Sequence, residues 1–277
     1  MATNKAASKT KKAPAKQTAR PAKTTTTVKA APATSSGLAD HISQSLRSYS
    51  LWRALAAELI GTFLLASIFV TGQGQPIFLL FGLAGIVLII GGISGAHVNP
   101  AVTIGAWVTR RIGWLRALGY IIAQLLGAAL AFITLSAFIG GAAPVSEEAA
   151  LYGQSAPTLY AAATYAAYEG KEWFVLFAEL LGAAILAFAF AHSRGFGKDQ
   201  PTASALTYGV GAFIGLMVAV TAVGYVNATA VFNPAVAVTL YAYDWSQLWT
   251  FAIYAIAPAI GAVVGFILHD LLMPRTR

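Results

Sequence analysis

The chain has 277 residues, of which 57% are hydrophobic and only 10% charged, with a mean hydropathy of +0.68. Soluble domains carry about a quarter charged residues, so there is too little polar material to coat one soluble globule of this length, and an integral membrane protein is implied. Cysteine is absent, which excludes a disulfide framework, a thiolate metal site and a cysteine nucleophile, and the net charge of +8 is uneven: eight of the 18 Lys and Arg residues lie between Lys5 and Lys29, ahead of the first acid, Asp40.

Residues 1–45 read as a disordered basic tail rich in Lys, Ala, Thr and Pro, with too few large apolar side chains to offset the entropy of ordering. The tail lacks the apolar stretch of a secretory signal. Lys5, Lys9, Lys11, Lys12 and Lys16 suit a solvated cytoplasmic tail that helps to fix topology, with anionic lipid or nucleic acid as the alternative partners.

Residues 46–277 then divide into six long apolar segments, which predict spans over Leu51–Thr71, Pro76–Ile93, Trp114–Gly140, Trp173–His192, Ala203–Val223 and Leu248–Leu272. Each reaches or approaches the ~20 residues that cross a hydrocarbon core as a helix. Six spans return the chain to its starting side. The tail, Arg110, Arg111, Arg116, Arg194, Lys198, Arg275 and Arg277 all fall on one face, while Lys171 lies opposite with Glu147, Glu148, Glu169 and Glu172. The positive-inside rule therefore puts both termini in the cytoplasm, and a plasma or inner membrane is the expected location.

The spans repeat. Ala57-Glu58-Leu59-Ile60-Gly61 in the first reads onto Ala178-Glu179-Leu180-Leu181-Gly182 in the fourth. Asn99-Pro100-Ala101-Val102 recurs as Asn233-Pro234-Ala235-Val236, 134 residues on (233 − 99), and Tyr120, Ile122, Ala123, Gly127 and Ala128 recur at the same offset as Tyr254, Ile256, Ala257, Gly261 and Ala262. Three matches in one order mark a duplication. With three spans per half, about 51–140 and 172–272, the second half enters from the opposite side, which is an inverted 3+3 repeat.

Asn99 to Val108 and Asn233 to Tyr243 are too short to span and begin as helices begin. Asn is a preferred N-cap, Pro suits the first helical position, and the residue before Pro avoids the helical region. Two re-entrant half-helices follow, each entered through extended backbone, Ser94–Val98 and 227–232. Non-helical backbone at membrane depth survives where it is packed in protein or lines a water-filled cavity, so the pattern points to a pore. Gly61, Gly82, Gly127, Gly182 and Gly261 fit close helix packing. Glu58 and Glu179 are ionisable groups inside spans and are therefore candidate functional residues. No metal-ligand cluster, phosphate loop or nucleophile–base pair appears, so no catalysis, cofactor or metal is expected.

On Ser94-Gly95-Ala96-His97-Val98-Asn99-Pro100-Ala101-Val102-Thr103, the second Asn233-Pro234-Ala235 and the Ala-Glu repeat, the chain from Trp52 to about Leu272 resembles the aquaporin, or major intrinsic protein, family. The resemblance implies an all-α membrane fold of six spans and two half-helices, one pore per protomer, a homotetramer, and water or small neutral solutes as the permeant species. Asn99 and Asn233 would point amide N–H groups into the pore, with Pro100, Ala101, Pro234 and Ala235 completing the motifs. Glu58 and Glu179 would support the loop of their own half, and His97 would brace it. Where most relatives carry Arg after the second motif, this chain has Val236. The other filter positions fall on Ala230, between Val218 and Thr221, and on Phe81 or Leu79 by alternative alignments, so the filter is expected to be apolar. The reading is a passive channel for water and small uncharged solutes, with a glycerol-type facilitator as the alternative and a closed membrane anchor that binds lipid or nucleic acid through its tail as the third.

Overall fold

A computed structural model describes residues 37–142, 145–197 and 199–273. Lys5, Lys9, Lys11, Lys12, Lys16, Lys198, Arg275 and Arg277 lie outside the described residues. The chain divides after Gly37, and the unit beginning at Leu38 contains every element below.

In chain order the helices are α1 (Leu38–Leu46), α2 (Tyr49–Thr71), α3 (Pro76–Ile90), α4 (Pro100–Val108), α5 (Trp114–Gly140), α6 (Glu147–Leu151), α7 (Glu172–Ser193), α8 (Pro201–Gly224), α9 (Pro234–Thr239), α10 (Leu248–Phe251) and α11 (Ala257–Leu272). A π-helical turn over Ala252–Ile256 joins the last two into one span, and no strand occurs among the described residues. Residues 38–45, expected in the tail, are instead helical. The end of α1 is fixed by Trp52, whose indole N–H donates to the Leu46 carbonyl at 2.7 Å and so satisfies an acceptor left open by the helix terminus.

Helices α2, α5, α7 and α8, with 23, 27, 22 and 24 residues, and the composite last span are long and apolar enough to cross a membrane. Helix α3 stops at Ile90, three residues before the predicted end, with 15 residues and a length of ~22 Å. Gly91 and Gly92 follow, and the Ile93 and Ser94 N–H groups both turn back onto the Ile90 carbonyl, which starts the re-entrant segment early. The π-turn has a local cause. Pro258 has no N–H to give the Tyr254 carbonyl, and the Tyr243 hydroxyl stands 3.1 Å from it, its proton shared with the Pro234 carbonyl.

The duplication is visible in the packing. α2 lies on α5, and α7 lies on the last span. A Cβ at Gly127 would strike the Leu59 carbonyl, and one at Gly261, its repeat partner, would strike the Leu180 carbonyl. Both glycines let backbones touch where lipid supplies no hydrophobic drive for association. The half-helices α4 and α9 fill the space between the halves, α4 against α11 and α5, α9 against α5 and α2.

Candidate functional site

The two Asn-Pro-Ala segments meet. Asn99 is the N-cap of α4, its Oδ1 accepting from the Ala101 N–H at 2.8 Å. Asn233 caps α9 in the same way, accepting from Ala235 at 3.1 Å and Val236 at 3.4 Å. Each amide nitrogen crosses to the other half: Asn99 Nδ2 donates to the Phe232 carbonyl at 3.0 Å, and Asn233 Nδ2 to the Val98 carbonyl at 2.9 Å. An Asn amide carries two hydrogens, so each retains a second donor. The positive ends of both half-helices are thereby brought to one place.

The backbone before each Asn is not simply extended, as the sequence suggested. Val98 has φ +44 and Phe232, its repeat partner, φ +36, a left-handed region that side-chain-bearing residues avoid at a cost of about 1–3 kcal/mol each. The spans hold them there. Glu58 Oε1 accepts from the His97 N–H at 2.9 Å and Oε2 from Val98 at 2.7 Å. Glu179 accepts from Val231 at 2.6 Å and Phe232 at 2.7 Å. The strained turn therefore aims one peptide N–H at a buried carboxylate and the next carbonyl at the opposite Asn.

Around this shared frame the halves differ. Glu58 also accepts from Gln124 Nε2 at 2.7 Å, Gln124 donates to Thr103 Oγ1 at 3.0 Å, and Thr103 faces His97 Nδ1 at 3.2 Å. The His97 ring is held edge-on between Tyr120 and Phe190, and its carbonyl accepts from the Tyr208 hydroxyl at 3.1 Å. Glu179 has no side-chain partner among the described residues. Hydroxyls also tie the second half to carbonyls: Tyr254 to Thr229, Thr239 to Ala128, and Tyr243, whose one proton is shared between the Pro234 and Tyr254 carbonyls. Sequence reasoning assigned no role to Gln124, Thr103, Tyr208 or Tyr243. Tyr120 and Tyr254 were visible as repeat partners, and each donates its hydroxyl to a carbonyl of its own re-entrant segment, Ser94 and Thr229.

A narrow cavity of about 20 Å³ touches both motif asparagines, the scale of one or two water molecules. Apart from Asn99, Asn233 and the Tyr208 hydroxyl its walls are apolar, with Phe69, Leu79, Leu83, Phe232 and Val236 prominent. Of the expected filter residues, Leu79 and Val236 line it. Ala230 is buried but is not among the residues lining it. Phe81, Val218 and Thr221 are corrections: they are exposed on the outer sides of α3 and α8, and the Thr221 hydroxyl is spent on the Met217 carbonyl. On α8 the cavity is lined by Tyr208 and Ala212.

A wider vestibule of about 430 Å³ opens beside His97, Ser94 and Gly95 and is lined by Arg111, Arg194, His269 and Asp270. Arg111 is fixed there by Asp270 at 2.6 Å, by Thr109 at 2.7 Å and by the Phe266 ring, 4.5 Å below its guanidinium carbon. Outside the spans, the Tyr165 hydroxyl donates to Glu172 at 2.6 Å, and that carboxylate pushes the phenol up to about 12.

A family model described as "Major intrinsic protein" matches residues 45–269. Aquaporin AqpM of Methanothermobacter marburgensis is 33% identical over 200 residues, covering 69% of this chain and 73% of the relative. The lens fiber major intrinsic protein of Gallus gallus is 29% identical over 252 residues, covering 84% and 87%. The glycerol uptake facilitator protein-like 6 of Lactiplantibacillus plantarum is 40% identical over a shorter stretch of 111 residues, covering 37% of this chain and 50% of the relative. Among solved structures, the X-ray structure of the aquaglyceroporin from Plasmodium falciparum matches with a TM-score of 0.59 at 21% identity, covering 81% of this chain and 98% of that one, a likeness of fold.

Proposed function

The chain belongs to the major intrinsic protein family, whose members are channels rather than enzymes, and from that premise we propose that it is a passive channel for water and small uncharged solutes. The observation that carries this reading is the convergence of two capped half-helix starts, each with a spare amide hydrogen, on one narrow apolar cavity. Water would pass in single file, accepting from Asn99 and Asn233. A water that accepts from both cannot also relay a proton, and the two helix starts repel cations. Glu58, Glu179 and His97 act through the loops as positioning residues.

The filter is formed by Leu79 and Val236 with Phe69, and it lacks a fixed charge. Ion exclusion then rests on the helix dipoles and on the dehydration of an ion in an apolar passage, a penalty of several kcal/mol. A homotetramer and cytoplasmic termini in a plasma or inner membrane complete the reading, the latter because Arg110, Arg111, Arg116 and Arg194 share one face and Glu147, Glu148, Glu169 and Glu172 the other. Swelling of proteoliposomes against water, glycerol and urea tests it. Water flux well above that of empty vesicles is the expected result. Glycerol flux that outruns water identifies a facilitator instead, and no flux of any kind sinks the channel reading.

A further inference from the structure

Helices α5 and the last span flank the half-helices without packing on each other, and the gap between them is an apolar groove of about 590 Å³. Its floor is Pro100, Ile104, Pro234 and Val238, the outer sides of the two half-helices, and its walls are Ile121 and Leu125 on α5 and Phe251 and Ala255 on the last span. Ala255 lies in the π-helical turn, and such turns are frequent at functional sites. At one end stand Tyr241 and Trp245, exposed by 70% and 87%, the aromatic pair expected where hydrocarbon meets headgroups.

Between the motif prolines and Tyr241 the groove lies within the depth of one leaflet, and Ile104 on α4 carries its floor ~6 Å past the prolines. The motif prolines lie where the two re-entrant segments meet, at mid-membrane. From Pro234 to Tyr241 is seven residues of mostly helical chain, ~10 Å, against ~15 Å for half of a hydrocarbon core. The groove is continuous with the lipid-facing belt, since Ile122 and Leu126 on α5 and Ile256 and Ile260 on the last span are each at least half exposed beside it. We infer that this groove is a binding site for a single phospholipid acyl chain of the leaflet on the Trp245 side, seated against the prolines of both half-helices. Its headgroup lies at Tyr241 and Trp245, and its tail touches the reverse side of the two segments that present Asn99 and Asn233. The length of the groove is apolar, and the polar groups of Tyr241 and Trp245 stand at its headgroup end.

The full chain, reconstituted in phosphatidylcholine vesicles doped with phosphatidylcholine bearing a diazirine midway along one acyl chain, tests the site by photolabelling and peptide mapping. Labels on Ile121, Leu125, Phe251 and Ala255 severalfold denser than on the ordinary lipid-facing residues Ile267 and Leu268 are expected. Ala255→Trp, which fills the groove, should remove the excess while leaving Ile267 and Leu268 labelled as before, and Ile121→Trp should do the same from the other wall. Uniform labelling of the belt overturns the proposal. So does labelling that survives both fillings, or a groove shielded because a neighbouring copy crosslinks across Leu125. The readout does not depend on transport: a conducting protein with no groove label defeats this inference alone, and a labelled protein that passes no water defeats only the channel reading.

Discussion

Glu58 sits in a polar knot with Gln124, Thr103 and His97, whereas Glu179, its repeat partner, meets two backbone N–H groups and no described side chain. Both nonetheless hold the next residue's strained turn at nearly the same φ, +44 at Val98 and +36 at Phe232. The comparison teaches that the conserved quantity within this duplication is a backbone geometry. The chemistry around it has drifted only in part: each carboxylate takes two backbone N–H groups and each loop receives a tyrosine hydroxyl on a carbonyl, but among the described residues Glu58 is joined to a side-chain network and Glu179 is not.

The largest effect should come from removing the carboxylates. Glu179→Leu leaves the Val231 and Phe232 N–H groups buried without acceptors, a loss of about 2–6 kcal/mol at roughly 1–3 per orphaned donor. Replacement by Gln separates the halves more sharply. At either position one backbone N–H loses its acceptor, but at position 58 the new NH₂ can donate to a flipped Gln124, whereas at position 179 no described side chain accepts from it. Glu179→Gln should therefore lower the unfolding midpoint in detergent more than Glu58→Gln does. Equal shifts would mean that the polar knot contributes nothing to the first half.

Next in size is the loss of cation exclusion in Asn99→Asp and Asn233→Asp. Each carboxylate still caps its half-helix but offsets the positive field there, and it faces the opposite carbonyl without a donor. A sodium leak in proteoliposomes is expected from both. If both variants insert normally and keep wild-type permeability to water, protons and sodium, neither Asn faces the pathway.

Val236→Arg probes an asymmetry of another kind, the absence of charge after the second motif. It should reduce glycerol and urea flux more than water flux, because Val236 lines the narrow cavity while water needs only a single file. An unchanged solute-to-water ratio in a correctly assembled variant would place selectivity elsewhere. The smallest effect belongs to Tyr165. Its phenol is held protonated up to about 12 by Glu172, so its contribution is present below its ordinary value of 10.0 and is lost as pH rises toward 12. In Glu172→Gln the ultraviolet titration of this tyrosine, isolated by difference against Tyr165→Phe, should move back toward 10.

Helix starts were legible at Pro76, Pro100 and Pro234, each at a first turn, whereas the fifth span was placed at Ala203, two residues past the Pro201 that begins it. The motif asparagines and the two buried Glu residues were legible because the duplication repeats them. The filter was not. A soluble helix shows its core by its apolar face, but in a bilayer the solvent is as apolar as the interior, so Phe81 facing outward and Leu79 facing the cavity carry the same signal in sequence. The network around Glu58 was hidden for a different reason: Gln124 is polar inside a span, and only the fold reveals that it reaches 66 residues back along the chain.

The reciprocal bonds from Asn99 to Phe232 and from Asn233 to Val98 join residues 133 and 135 positions apart. During synthesis the first re-entrant loop leaves the ribosome before either of its partners exists. At about 5–20 residues per second, the gap is on the order of 7–27 s. Over that interval the Asn99 amide and the Val98 carbonyl have no mate, and the first half cannot close its own lining. Maturation of the two halves is therefore obligately joint, and a truncated chain ending before Phe232 would be a substrate for quality control rather than half a channel.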